Sequence, residues 1–154
     1  MSRRYHVTFE NVSVSAAQDL VQINGATGKT VLVRRVWLNS VNATPTAQQL
    51  RLRGRYVPAT VTNGSGGSTP TPRPLDPGDA AATFTARANS TTQATSSGTI
   101  IDLWATGCHV QGGVDTMFPT PFVIPAAAAF VFDLAAAPTG TLNLSGGVEV
   151  EEIG

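Results

Sequence analysis

The chain has a single cysteine, Cys108, in 154 residues, which excludes an intramolecular disulfide framework and any cysteine-rich zinc site. Charge is scarce as well. Charged residues make up 13% of the sequence, about half the usual share, so Thr, Ser, Asn, Gln, Gly and Ala must cover most of the surface. Basic and acidic residues balance at ten each, and this balance gives no electrostatic reason to expect nucleic acid as a partner. Long hydrophobic runs are missing. The longest, Ala126 to Phe132, is far short of the ~20 residues that span a bilayer, so no membrane partner is expected. Arg3 and Arg4 are followed by no apolar run of the signal-peptide kind; the expectation is a soluble protein made without a secretory signal. No segment sustains a helical period with caps.

What the sequence does have is short alternating stretches. Tyr5, Val7 and Phe9 fall on one side of a strand and His6 and Thr8 on the other. Leu20 to Ile23 is a short strand ended by the turn dipeptide Asn24-Gly25. Thr30 to Ser40 is β-branched and free of Gly and Pro, the best candidate for a central strand, with Arg34 and Arg35 expected on opposite faces. From Leu50 to Val57, Leu50, Leu52, Gly54 and Tyr56 share one side and Arg51, Arg53 and Arg55 the other. Further strands are expected at Thr83–Asn89, Ile100–Trp104, Phe122–Ile124, Phe130–Leu134 and Thr141–Val150. Many short strands between Gly, Pro and Asn turns point to an all-β sandwich or small barrel; the expectation is a single-domain antiparallel β-sandwich over residues 1–154, with jelly-roll topology expected from its frequency in that class. Residues 63–79 read as a long Gly/Ser/Pro-rich arm or loop, held extended by Pro70, Pro72, Pro74 and Pro77.

All ten basic residues lie before residue 88, with four acidic ones, and the remaining six acidic residues lie after it. Two readings follow: the halves interleave and the charges pair within one molecule, or the protomer has one positive and one negative face suited to oriented assembly.

Catalytic and cofactor motifs are absent. Gly25 to Thr30 ends like a phosphate-binding loop, but Ile23 stands where the first glycine belongs and a strand follows instead of a helix, so a hairpin turn is expected. Cys108 and His109 point to opposite faces of a strand and cannot act together; Cys108 reads as a small buried hydrophobe. The isolated carboxylates Asp102, Asp115 and Asp133 have no partner at a telling spacing. Trp37 and Trp104 sit in apolar strands, which favours the core over a sugar-stacking surface. No enzyme activity, cofactor or metal is expected.

The segments GSGGSTPTPRPLDPGDAAA (64–82), YHVTFENVSVSAAQDL (5–20) and GGVEVEEIG (146–154) resemble short structural proteins of tailed bacteriophages and prophages. The resemblance implies a virion protein made in the host bacterial cytoplasm, a capsid decoration or cement subunit on the outside of the head. Its partner would be the major capsid protein, and it would be a homo-oligomer, with a trimer favoured. Arg51, Arg53 and Arg55, together with Pro70, Pro72, Arg73, Pro74, Leu75 and Pro77, are the expected partner-binding residues. The alternative is a tail- or head-fibre module that recognises host-surface glycans, which would expose Trp or Tyr at a loop rim.

Overall fold

A computed structural model describes all 154 residues as β-structure and connections. The strands are β1 (Ser2–Val14), β2 (Gln18–Asn24), β3 (Thr30–Ser40), β4 (Gln49–Val57), β5 (Val61–Thr62), β6 (Arg73–Pro74), β7 (Thr85–Ser90), β8 (Thr95–Ser96), β9 (Ile101–His109), β10 (Val114–Ile124), β11 (Ala129–Leu134) and β12 (Leu142–Ile153). Two five-stranded antiparallel sheets, ordered β10-β3-β12-β1-β6 and β7-β2-β11-β4-β9, pack face to face. A two-stranded piece, β5 with β8, forms a flap. The chain changes sheet at most connections between long strands. The turn at residues 25–29 is therefore a crossing between sheets and not the expected hairpin, because β2 and β3 do not pair.

Alternation builds the core. Tyr5, Val7, Val33, Val36, Leu38, Leu144, Val148 and Val150 from one sheet meet Ile23, Leu52, Phe130, Phe132 and Leu134 from the other, all buried. Gly54 lies in β4 opposite Phe132, and the space a side chain would need there is filled by the Phe130 ring.

Two β-bulges override the alternation that the sequence shows. In β3, Arg35 pairs with Glu149 and Val33 with Val150, leaving Arg34 as an extra residue. Val33 and Val36 then both face inward while Arg34 and Arg35 both face outward. The expectation of one guanidinium on each face is overturned. In β2, Phe132 pairs with Val21 and Asp133 with Asp19, so Leu20 is the extra residue. Leu20 and Val21 both join the core, and Asp19 turns to the outside of the sheet.

Residues 63–79 do not project as an arm. They form a strap across one side of the sandwich, held by hydrogen bonds at Gly64, Ser65, Ser68 and Arg73 to Leu75. Gly64 N–H donates to Gln22 Oε1 (3.1 Å), and Ser65 pairs with Thr92. Ser68 exchanges two 2.9 Å hydrogen bonds with Ala88 at the edge of β7. Arg73–Pro74 then pairs with Tyr5–His6 of β1, and Leu75 N–H donates to Arg4 O. Beyond the strap, the Tyr5 hydroxyl donates to Ala80 O at 3.0 Å. Burial, followed by the nearby Glu152 charge, raises the Tyr5 pKa.

Gly67 shows why this segment is glycine-rich, since a Cβ there would fall 2.1 Å from Ala88 O. Gly67→Val is expected to lift the strap off β7 and destabilise by about 1–3 kcal/mol. Urea unfolding should report the loss, and amide exchange should show it concentrated at Ser68 and Ala88.

Candidate interaction surfaces

The outer face of the second sheet carries a buried ion cluster. Asp19 and Asp133 are direct cross-strand neighbours, and Arg53 lies opposite Asp133 on its other side. Arg53 binds Asp133 through two hydrogen bonds, Nε to Oδ1 at 3.1 Å and Nη2 to Oδ2 at 2.7 Å, the fork geometry that favours Arg in such sites. Arg55 donates from Nη2 to Asp19 Oδ1 at 3.0 Å, and its Nε lies 2.9 Å from Asp133 Oδ2 at an angle unsuited to a hydrogen bond. The segment before β8 covers the cluster. Ala94 N–H donates to Asp19 Oδ2 at 2.6 Å and Gln93 Nε2 to Asp133 Oδ2 at 3.2 Å. Val57, Ala129 and Val131 make a small apolar patch with Ala94 beside it, with Val61 and Ile100 packed against it.

Burial raises the Asp19 pKa, against the Ala94 hydrogen bond and the Arg55 charge, which lower it. Hydrogen bonding to Asp133 raises that of Arg53. These two carboxylates are thus held by two guanidinium groups, the Gln93 side-chain amide and the Ala94 backbone amide, and they clamp the segment before β8 onto the sheet.

The expected arginine stripe is accordingly split. Arg55 is buried and Arg53 half-buried, both committed inside the molecule; Arg51 alone stands exposed without an acidic partner. Of the strap residues, Pro70, Pro72 and Pro74 are half-buried against the domain, whereas Arg73, Leu75 and Pro77 are exposed along its crest.

The outer face of the first sheet is also ionic. Glu149 and Glu151 are nearly enclosed by Arg4, His6, Arg34 and Ser2: Arg4 Nη1 is 3.4 Å from Glu149, His6 Nε2 is 3.8 Å from it, and Arg34 and Ser2 both bind Glu151. Arg35 grips Asp115 with two hydrogen bonds, which lower the Asp115 pKa. Trp37 is not in the core. It lies on this outer face over Gly147, flanked edge-on by His6 (5.3 Å) and by the Arg35 guanidinium (5.4 Å). Trp104 packs edge-on against Phe118 at the core margin. Five of the ion pairs join an arginine of the first half to a carboxylate of the second: Arg4–Glu149, Arg34–Glu151, Arg35–Asp115, Arg53–Asp133 and Arg55–Asp133. The halves interleave and neutralise one another.

The largest cleft, about 540 Å³, opens at the end of the sandwich where Ala59 and Ala127 adopt positive φ. Asn24 and Asn63 line it, no titratable side chain does, and the two amides are bonded to each other and to Gln22. Cys108 is buried, and desolvation raises its pKa, while His109 beside it faces solvent.

The side opposite the strap, between the edge strands β9 and β10, is apolar and open. Ile101 (51% exposed), Leu103, Met117 (63%) and Val123 (57%) lie along it. Tyr56, Pro121 and Phe122 line a shallow hollow between the two edges. No helix is long and apolar enough to cross a membrane. No family model matches the chain, and neither a curated protein nor a solved structure matches it.

Two outcomes follow. Asp133→Ala leaves Arg53 without an acidic partner and Arg55 with Asp19 alone under the flap, and is expected to cost about 3–5 kcal/mol in chemical denaturation. For Glu151, burial alone would raise the pKa, but hydrogen bonds from Ser2 and Arg34 and the charges of Arg34 and Arg4 outweigh it and leave it lowered. A lowered carboxyl adds stability above its unfolded pKa and loses it as pH falls through the folded one. Glu151→Gln should therefore be less stable than the parent chain at neutral pH, and thermal melts should show the gap closing on acidification below about pH 4.

Proposed function

We propose that the protein is a non-catalytic assembly subunit of a tailed-phage particle, a decoration or cement protein that binds the outside of the head. The observation that carries the assembly role is the disposition of its surface. Most of its charged groups are spent on one another, its largest cleft has no titratable lining, and one flank exposes apolar side chains and a strand edge. Such a molecule offers area and backbone to a partner in place of chemistry. The virion context rests on the resemblance of the three segments named above.

A jelly-roll topology belongs to the same proposal. Taking the eight long strands β1, β2, β3, β4, β9, β10, β11 and β12 as one to eight, the sheets run 6-3-8-1 and 2-7-4-5, the order of two interlocked Greek keys; β7 is then an added strand beside β2. The head-binding surface in this reading is the crest of the strap, where Arg73, Leu75 and Pro77 are exposed on a segment already ordered by its pairing with β1 and β7. Preordering lowers the entropy lost on docking. A glycan-binding role gains no support from the tryptophans, since neighbours flank the Trp37 ring and Trp104 packs against Phe118.

Co-sedimentation with expanded empty heads of the encoding phage or prophage tests the reading. The protein should pellet at a fixed ratio to the major capsid protein, and Arg73→Glu with Leu75→Ser should weaken this by about tenfold. Failure of the parent chain to pellet with heads under any salt condition would overturn it.

A further inference from the structure

Of the four sheet edges, three are guarded. Ser68 pairs with β7, β6 with β1, and Pro119 and Pro121 remove donors from β10. The fourth is β9. It has a bulge at Leu103 and one charge, Asp102, near its start, but from Trp104 to His109 it contains no proline, acid, lysine or arginine. A bare edge of that length presents unpaired N–H and C=O groups whose natural complement is another extended strand.

We propose that β9 pairs with β9 of a second copy of this chain, antiparallel about a two-fold axis at Ala105. The charges on the outer face favour this occupant and this register. In β4, Arg51 lies directly opposite Gly107, and Arg55 opposite Asp102, so Arg51, Gly107 and Asp102 all face outward. The Leu103 bulge makes residues 102 and 103 count as one step along the pleat. With Ala105 opposite the partner's Ala105, Trp104 falls opposite the partner's Thr106, and Gly107 falls opposite the partner's Asp102. Arg51 then lies in line with the partner's Asp102 with only a side-chain-free glycine between them. The gap is two strand spacings, about 9–10 Å, which an arginine and an aspartate span together. Arg51 and Asp102 are both exposed and neither has an ion-pair partner in its own chain. The two-fold supplies each with the other, twice. Packing within the chain does not demand the glycine, since a Cβ at Gly107 would meet nothing closer than 3.7 Å. The pairing needs no capsid and stands or falls independently of the head-binding reading; it replaces the three-fold assembly that the resemblance implies.

Mass photometry and sedimentation equilibrium of the purified full chain, without capsids, provide the test. A dimer is expected. Arg51→Glu and Asp102→Arg, each alone, should weaken it by about tenfold, and the two combined should restore most of the affinity. Because Asp102→Arg also faces Arg53 and Arg55, its fold is checked by circular dichroism. As a variant without charge change, Ala105→Cys should give a disulfide-linked dimer under mild oxidation while the parent chain, with its buried Cys108, gives none. A monomer up to hundreds of micromolar, a trimer, or a dimer indifferent to the charge reversals and to cross-linking at position 105 would overturn the proposal.

Discussion

A sandwich of two open sheets has four edges, and each leaves a row of backbone donors and acceptors that must be covered, blunted or offered to a partner. This constraint organises most of what is unusual in the chain. The Gly/Pro segment crosses one flank and satisfies two edges together, pairing with β7 through Ser68 and with β1 through Arg73 and Pro74. Its composition follows from that course: glycine where the strap passes against the Ala88 carbonyl, proline where the chain must run extended at low entropic cost. On the other flank β10 is blunted by prolines, and β9 is left bare beside exposed Ile101 and Leu103.

The second constraint is electrostatic. Removing so many charges from the usual surface complement leaves few to spare, and the fold places them where backbone or flap needs an anchor. Asp19 and Asp133, brought side by side by a bulge, would repel one another without Arg53 and Arg55; with them, they form a neutral plug that receives the Ala94 amide and fixes the excursion between β4 and β9. Buried ion groups of this kind add little net stability compared with an apolar replacement, but a half-broken set is costly. Their contribution is to specify one position for the flap.

Much of the fold could be read from alternation. The buried parities of β1, β4 and β12 appear directly in Tyr5-Val7-Phe9, in Leu50-Leu52-Gly54 and in Leu142-Leu144-Val148-Val150, and the central place of β3 follows from its β-branched, uninterrupted run. Alternation fails where a strand gains a residue. Arg34 and Arg35 share a face, and Asp19 leaves the core side, because of single-residue bulges that nothing in composition announces. The arginine stripe is legible as a pattern but reads as a partner-binding surface, because the placing of Asp133 beside Arg53 depends on strand register between segments about eighty residues apart. The arm became a strap for the same reason, since the partners of Ser68 and Pro74 are fixed by tertiary pairing. Trp37 fell outside the core because the Arg34 bulge placed the inward positions at Val36 and Leu38.

The claim that one edge alone was left for assembly is most directly tested by amide hydrogen exchange as a function of protein concentration. At high dilution the amides of Trp104 to His109 that do not bond to β4 should exchange rapidly, while those of Ser68, Leu75 and Ala88 stay protected. Raising the concentration should protect the β9 amides and leave β10 unchanged. Rapid exchange of β9 at every concentration, or new protection appearing on β10 or the strap in its place, would contradict the account.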